Sequence, residues 1–344
     1  MNTPGASQPS HSPAPIALTM GEPAGVGTEL TLKAWLARAA LPCPYFVIAN
    51  AEQLRATASM LGIETPIREI TDPVETTEVF HTALPVIDIP IPSIPIFGEP
   101  SAENADAIVT SITMAVDMAM NGKAAAVVTN PIHKRNLYDA GFPHPGHTEF
   151  LAALSGEAVE PVMMLACNEL RAVPVTTHMS LREALAALTP ELIVSQTRIT
   201  ADALKHDFGI FKPRIAIAGL NPHAGESGAM GNEEDEIIRP AMVQLQQLGI
   251  QVTGPHPPDA MFSTAKRPTY DAAICMYHDQ ALIPIKTLDF SGGVNVTLGL
   301  PIVRTSPDHG TALDIAGKGS ADATSLIAAL RLASTIASQR RQRA

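Results

Sequence analysis

The segment IALTMGEPAGVGTELTLKAWLARA, residues 16–39, contains the unit that decides the fold. Its first part, Ile16–Met20, is an apolar run of strand length, and Thr28–Ala39 then shows the spacing of a helix. The turn between them does not fit the G-x-G-x-x-G dinucleotide fingerprint, because Leu30 stands where the third glycine is required. The turn therefore predicts a tight strand-to-helix connection and disfavours a standard dinucleotide loop.

The same alternation continues along the chain. Further apolar runs of strand length are Tyr45–Ala49, Leu84–Ile87, Ala124–Thr129, Val162–Ala166, Ala172–Thr176, Arg214–Leu220, Ala272–Met276 and Val294–Leu298. Segments with helical spacing are Ala51–Leu61, Ala102–Met120, Pro190–Phe208, Glu233–Leu248 and Ala321–Ala337. Short strands that alternate with helices predict an α/β fold with mainly parallel sheets flanked by helices.

One pair of strand-like runs breaks this pattern. Only Cys167–Arg171 separates the run that ends at Ala166 from the run that begins at Ala172. Such a short connection favours an antiparallel hairpin, since a parallel pair needs a longer crossover. The hairpin indicates either a second subdomain or an arm used in dimer formation.

Composition excludes several classes of protein. The net charge of −11 and the 4% aromatic content argue against a nucleic-acid partner, which requires a basic surface and stacking side chains. No apolar run approaches the length of a membrane span. Cys43, Cys167 and Cys275 form no CxxC pair, which favours a reduced, cytoplasmic location. Residues 1–14 have neither a basic start nor an apolar core, and we predict a disordered tail rather than a secretory signal.

Three histidines occur in similar contexts. His178, His223 and His278 each follow a strand-like run. Ligand sites of α/β proteins form beyond the carboxyl ends of strands, so the three imidazoles can converge on one cleft. Neutral imidazoles suit Zn²⁺, Co²⁺ and similar ions, and three of them leave positions open for a substrate. The alternative is that each is a separate, hydrogen-bonded loop histidine.

Several polar residues stand among prolines and glycines near the C-terminus and after Gly146. They are candidates for binding an anion: Lys286, Asn295, Arg304 and the pair His147-Thr148. Cations in otherwise apolar surroundings are costly unless they meet an opposite charge. A phosphate or carboxylate ligand would supply that charge, and Arg304 suits bidentate contacts. The alternative is an internal salt bridge with Asp289 or Asp308.

Taken together, these residues are similar to the 4-hydroxythreonine-4-phosphate dehydrogenase family of vitamin B6 biosynthesis. The resemblance covers roughly residues 15 to 337. Its segments are MGEPAGVGTEL (20–30), VTNPIHK (128–134), PGHTEFLA (145–152), PVTTHMSL (174–181), GLNPHAGE (219–226), GPHPPDAMF (254–262) and YDAAICMYHDQALIPIKTLDFSGGVNVTLGLPIVRTSPDHGTALDIAGKG (270–319). One departure is Glu22, where the common form of the first motif carries Asp.

The resemblance implies a two-domain fold like that of isocitrate and isopropylmalate dehydrogenases. Its active site would lie in the interdomain cleft of a homodimer, near the dimer interface. The implied first domain, on the nucleotide side, comprises residues 15–135 and 290–344. The second, residues 136–289, would carry the metal ligands and the dimer interface.

The resemblance also assigns ligands. It implies one divalent ion (Zn, Mg or Co) on the three histidines and substrate contacts from His147, Thr148, Lys286, Asn295 and Arg304. The nucleotide, NAD or NADP, would lie along a loop like HGTALDIAGKG (309–319), with His309, Gly310, Thr311 and Asp314 as cofactor contacts.

The implied reaction oxidises the C3 alcohol of 4-phosphooxy-threonine, a small phosphorylated hydroxy-amino acid, and the resulting β-keto acid loses CO₂. Asp279, Asp259 and Lys286 are candidates for the base that accepts the hydroxyl proton. One alternative is a related dehydrogenase acting on threonate or erythronate phosphate or on a cyclic dihydrodiol. Another is a metal-dependent hydrolase or aldolase, which would have no use for an adenosine-binding loop.

Overall fold

The computed structural model describes residues 14–141, 147–156 and 160–343. Apart from Ala14, the predicted disordered tail lies outside the described residues.

Twelve strands of the described residues form one sheet. They are β1 Ile16–Thr19, β2 Tyr45–Ala49, β3 Ile67–Glu69, β4 Leu84–Asp88, β5 Ala126–Val128, β6 Val162–Ala166, β7 Arg171–Pro174, β8 Ile215–Ala218, β9 Val252–His256, β10 Ala272–Cys275, β11 Val294–Leu298 and β12 Arg304–Pro307. Their order across the sheet is β3-β4-β2-β1-β5-β12-β11-β6-β7-β10-β8-β9.

The α-helices connect these strands. They are α1 Gly27–Leu36, α2 Ala51–Leu61, α3 Thr76–Val79, α4 Ala105–Met120, α5 Lys134–Asp139, α6 His147–Ser155, α7 Leu181–Ala187, α8 Pro190–His206, α9 Arg239–Gln247, α10 Pro258–Met261, α11 His278–Leu288 and α12 Thr324–Arg341. A π-helical turn, Glu234–Ile238, precedes α9. No helix of the described residues is long and apolar enough to cross a membrane.

The strand sequences explain why helices cover the sheet. Every residue of β1, β2, β8 and β10 is buried, so these strands are apolar on both faces rather than on alternate residues. Strands of this kind need a packed layer on each side, which the connecting helices provide. Helix α1, which follows β1, is itself buried along most of its length. The predicted α/β fold with mainly parallel strands flanked by helices is confirmed.

The strand direction changes in the middle of the sheet. From β3 to β12 all pairings are parallel, and from β7 to β9 they are parallel again. Between these blocks, β12–β11, β11–β6 and β6–β7 are antiparallel. The predicted β6–β7 hairpin is thus confirmed. It lies inside the sheet, with a strand on each side, and does not project as an arm.

This central region places side chains of distant segments on one surface. Asn295 pairs with Ser306, and Thr297 pairs with Arg304 and with Met163. Because alternate residues of a strand point to the same face, Asn295, Thr297, Arg304 and Ser306 share a face of the sheet. That face is the floor of the cavity described below. The predicted division at residues 135 and 290 falls beside this region and stays a prediction.

Candidate active site

A cavity of about 330 Å³ lies over the antiparallel centre of the sheet. Its walls come from the end of β5, from the face of β6, β11 and β12, from α11, and from the loops after β7 and β12. The lining residues are Thr129, Asn130, Pro131, Ile132, Lys134, Thr148, Met163, His178, His278, Leu282, Asn295, Arg304, Ser306, Pro307, Asp308, His309 and Gly310. The cavity therefore brings together polar residues that the sequence separates by more than a hundred positions.

Arg304 is the buried cation of this cavity. Its side chain donates to Thr297 Oγ1 at 2.9 Å and to Thr129 Oγ1 at 2.7 Å, while Nε has no partner. No carboxylate of the described residues pairs with it, so the predicted alternative of an internal salt bridge does not hold for Arg304. Burial lowers its pKa to about 10, so the guanidinium is still charged at neutral pH. A buried charge held only by two neutral hydroxyls favours an anionic ligand.

Lys286 is in a different setting. Its ammonium lies 2.6 Å from the carbonyl oxygen of Asp308 and 2.7 Å from that residue's Oδ2, and it stands 5.2 Å from the centre of the Phe290 ring. The predicted salt-bridge alternative therefore holds for Lys286. The pair joins α11 to the loop after β12; Asp308 belongs to the cavity lining, whereas Lys286 lies beside the cavity.

His178 and His278 lie together in the cavity. Their ring centroids are 5.6 Å apart, although a hundred residues separate them in the sequence. They follow β7 and β10, which are neighbouring parallel strands. Burial, with Lys134 and His278 nearby, lowers the pKa of His178 and favours the neutral imidazole that binds metal ions.

Backbone geometry also marks the His178 position. Its φ of 47° is in the left-handed region, which residues other than glycine rarely adopt. Strained conformations of this kind concentrate at functional sites, where the surrounding structure enforces them.

His223 does not join the other two histidines. It lies in the segment Pro222–Gly228 after β8, where residues 223–227 all have positive φ (53° at His223), and it does not line the cavity. In the part of the chain that the structure describes, no three His, Cys, Asp or Glu side chains are arranged to hold a metal ion. One chain therefore assembles two members of the predicted trio.

The candidate bases differ in position. Asp279 Oδ1 lies 2.8 Å from Nδ1 of His278, so this carboxylate orients the imidazole and leaves Nε2 for a ligand. Asp259 is exposed on the short helix α10, which contacts the His223 segment and does not line the cavity. Of these two carboxylates, Asp279 is therefore the one beside a histidine of the cavity.

The loop after β12 separates the first cavity from a second one. His309 lines both, and the second cavity, of about 240 Å³, is also bounded by Lys286, Ala312 and Ile315. Gly310 faces the first cavity, whereas Thr311 and Asp314 line neither. The carbonyl of Thr311 accepts a hydrogen bond from the Val26 amide at 3.0 Å, so this residue has a role in holding the loop.

The sequence did not indicate the two hydroxyl groups that bind Arg304, of which that of Thr129 belongs to a lining residue. Thr129 and Thr297, which hold Arg304, stood inside strand-like runs and had no polar pattern around them. Of the predicted substrate contacts, Thr148, Asn295 and Arg304 line the cavity. His147 begins α6, and its side chain is outside the described part of the structure.

Comparison with known proteins identifies the class of protein that has this fold and site. A family model described as "Pyridoxal phosphate biosynthetic protein PdxA" matches residues 42–333. The chain is 52% identical over 331 residues to 4-hydroxythreonine-4-phosphate dehydrogenase of Caulobacter vibrioides, an alignment that covers 95% of this chain and 98% of that protein. The chain therefore belongs to the pyridoxal phosphate biosynthetic PdxA family.

Comparison with solved structures agrees with this family assignment. The crystal structure of 4-hydroxythreonine-4-phosphate dehydrogenase from Klebsiella pneumoniae superposes with a TM-score of 0.85 at 38% identity, covering 94% of this chain and 99% of that one. A terephthalate 1,2-cis-dihydrodiol dehydrogenase from Burkholderia xenovorans is more distant, with a TM-score of 0.63 at 28% identity, covering 94% of this chain and 98% of that one.

We expect Asp279→Asn to weaken binding of a divalent ion by roughly 10- to 100-fold, because the amide orients His278 less strongly than the carboxylate does. The measurement is titration of metal-free protein with Zn²⁺ or Co²⁺ against a competing chelator. Asp202→Asn, which alters a surface carboxylate beside Lys205 on α8, is the matched control. Equal affinities for the two variants would show that Asp279 does not support a metal ligand.

Proposed function

We propose that this protein oxidises 4-phosphooxy-L-threonine with NAD⁺ or NADP⁺ to 2-amino-3-oxo-4-phosphooxybutanoate. That product decarboxylates to 3-amino-2-oxopropyl phosphate, a step in pyridoxal 5'-phosphate biosynthesis. The observation that carries the proposal is the buried, carboxylate-free guanidinium of Arg304 in a cavity beside two histidines. The names of the similar proteins support the same reaction.

The cavity suits a small substrate with anionic groups. Arg304 provides the buried positive charge, and Asn295 and Thr148 are neutral polar groups in the same lining. In our proposal these residues, together with His147 and Lys286, hold the phosphate and carboxylate of the substrate. Fixed contacts at both ends of a short molecule would orient its C3 hydrogen for transfer.

The donor set fits a divalent ion. His178 is kept neutral by its surroundings, and His278 is oriented by Asp279. We propose that these two imidazoles and His223 hold the ion (Zn, Mg or Co). When bound, such an ion lowers the pKa of a substrate hydroxyl. The nicotinamide would serve as hydride acceptor from the loop that begins at His309.

We propose that Asp279, Asp259 or Lys286 accepts the proton of the substrate hydroxyl. Asp279 contacts His278. Lys286 lines the second cavity and contacts Asp308, which lines the first. A base must lie within hydrogen-bond reach of the hydroxyl or act through one water, and its loss should remove the corresponding limb of the pH–rate profile.

A homodimer would complete the metal site. Met179 and Leu181 line a pocket with His178 and His278 and are 43% and 64% exposed, and Ile283 on α11 is 63% exposed. Exposed apolar groups in this number around a site favour a protein partner. Because His223 does not line the cavity of its own chain, we propose that it reaches the ion bound by the second chain.

We also place the protein in the cytoplasm. Cys43, Cys167 and Cys275 are all free thiols, as is usual in a reducing compartment.

A second candidate is a related dehydrogenase with another substrate. The similarity to a cis-dihydrodiol dehydrogenase favours it, because that protein has a similar fold and is named for a different substrate. A threonate or erythronate phosphate would also use Arg304, whereas a cyclic dihydrodiol has no phosphate for it.

Substrate profiling tests the proposed function. We expect kcat/KM for 4-phosphooxy-L-threonine to exceed that for erythronate phosphate and for a cyclic dihydrodiol by at least about tenfold, or about 1.4 kcal/mol. The measurement is the appearance of reduced nicotinamide absorbance with NAD⁺ and with NADP⁺, each with Zn²⁺, Mg²⁺ and Co²⁺. Higher kcat/KM for either competitor would overturn the substrate assignment.

Arg304→Ala should mainly raise KM for the phosphorylated substrate. Loss of a charge-assisted contact of about 1.5–3 kcal/mol predicts a fall in kcat/KM of roughly 10- to 150-fold. Arg55→Ala, which removes a surface arginine paired with Glu69, is the control and should leave the kinetics unchanged. An unchanged KM in the Arg304 variant, with the fold intact by circular dichroism, would argue against substrate binding at this residue.

Mixed dimers test the contribution of the second chain. His278→Ala and His223→Ala chains, each inactive alone, should recover up to about half of the wild-type activity and bound metal per dimer when co-expressed. In the hybrid, one site then holds His178 and His278 of one chain and His223 of the other. If all three ligands come from a single chain, both hybrid sites lack one ligand and no activity returns.

A further inference from the structure

An ion pair with a fully buried carboxylate and a partly exposed ammonium connects α1 to the loop that precedes α12. Glu29, in the first turn of α1, has a fully buried side chain, and its Oε1 lies 2.7 Å from Nζ of Lys33. A pair spaced by four residues is usual on a helix surface, where it contributes little to stability. This pair differs because both partners also bond to another part of the chain.

The two side chains bind the backbone amides and carbonyls of one short turn. Glu29 Oε1 accepts a hydrogen bond from the Ala321 amide at 2.9 Å, and Oε2 accepts one from the Gly319 amide at 3.3 Å. Lys33 Nζ donates to the carbonyl oxygens of Gly319 at 2.8 Å and Ala321 at 2.7 Å. The carboxylate thus satisfies the amides of the turn, and the ammonium satisfies its carbonyls. With Glu29, all three ammonium protons have acceptors.

The other end of the same loop is held at the start of α1. The Val26 amide donates to the carbonyl of Thr311 at 3.0 Å, and a Cβ on Gly25 would stand 3.0 Å from that oxygen. Glycine at position 25 therefore lets the two backbones approach. The segment from Thr311 to Ala321 is fixed to the β1–α1 unit at both ends.

This attachment sets the width of the second cavity. One wall is formed by Val26, which precedes α1, and Leu30 of α1. The other is formed by Ala312, Ile315 and Ala321 of the loop. Movement of the loop away from α1 would change the distance between these walls. The Glu29–Lys33 pair is the polar contact that opposes such movement at the Ala321 end.

We infer that Glu29 and Lys33 are positioning residues for the coenzyme: their ion pair holds the 309–321 loop against α1 in the conformation that receives the nucleotide. The inference rests on the proposed nicotinamide-dependent function, in which this loop binds the coenzyme. Neither residue lines the substrate cavity, so substrate contacts should not depend on them. Preorganising a loop raises affinity by removing the ordering cost from the binding step.

The test uses Glu29→Gln and Lys33→Met in the full-length protein. Glutamine keeps the shape of Glu29 but removes its negative charge and one acceptor oxygen, and methionine keeps most of the length of Lys33 without its donors. We expect each to weaken binding of NADH or NADPH by about tenfold, equivalent to about 1.4 kcal/mol, measured by fluorescence titration without substrate. At saturating coenzyme, KM for the phosphorylated substrate should stay within about twofold of wild type.

Amide exchange gives a readout that is independent of activity. In the coenzyme-free protein, the Gly319 and Ala321 amides should exchange faster in Glu29→Gln, whereas core amides such as those of β1 should not change. Asp235→Asn, which breaks the exposed i,i+4 pair with Arg239, is the matched control and should affect neither exchange nor coenzyme binding.

The outcomes separate this inference from the proposed function. Wild-type protein that binds no reduced nicotinamide coenzyme would contradict the proposed function on which the inference rests. Wild-type binding that is equally tight in Glu29→Gln and Lys33→Met would overturn the positioning role alone. An equal rise in substrate KM and coenzyme Kd would indicate general structural damage and would also overturn it. If both variants misfold, Glu29→Asp, which retains the charge at a shorter reach, should show the coenzyme-specific loss.

Discussion

The structure depends on the three antiparallel pairings that interrupt an otherwise parallel sheet. An entirely parallel sheet would have aligned all strands in one direction and placed their carboxyl ends along one edge. Here β11 and the β6–β7 hairpin reverse the direction, and the two parallel blocks meet over a shared central face. Arg304 from β12 and Asn295 from β11 lie on that face, and the ends of β5, β7 and β10 bring Thr129, His178 and His278 to it. The cavity is a consequence of this reversal.

Electrostatics within the cavity follow from how each cation is paired. Lys286 is neutralised by Asp308, and the pair fixes the loop after β12 against α11. Among the described residues, Arg304 donates to the hydroxyls of Thr129 and Thr297, which orient it without neutralising it. Leaving a charge uncompensated in a buried position costs stability, and functional sites are where such costs are tolerated. Of these two cations, Lys286 thus has a carboxylate partner of its own chain, whereas Arg304 has a charge that an anionic ligand can neutralise.

The loop after β12 is likewise held by residues that lie outside the cavity around Arg304. The β1–α1 unit does not line that cavity, yet its residues Val26, Glu29 and Lys33 hold the loop after β12 at both ends. The strand–turn–helix unit at residues 16–39 lacks the dinucleotide fingerprint. Its structural part is to support a loop from the other end of the chain.

The sequence by itself determined the alternation of strands and helices, because burial on both faces of a parallel sheet requires continuous apolar runs that are visible in one dimension. Tyr45–Ala49 and Val162–Ala166 have the predicted bounds for that reason. It also indicated Arg304, a cation in otherwise apolar surroundings, and the three histidines, each of which follows a strand-like run. The sequence did not predict strands β3, β9 and β12, because they are short or polar and lack the apolar run that marks a buried strand. Only the tertiary structure decided that Lys286 is paired and Arg304 is not, that His178 and His278 lie together while His223 lies apart, and that Glu29 holds a turn near residue 320. Each of these features depends on which distant segments of the chain meet, and the order and direction of the strands fix that rather than any local pattern.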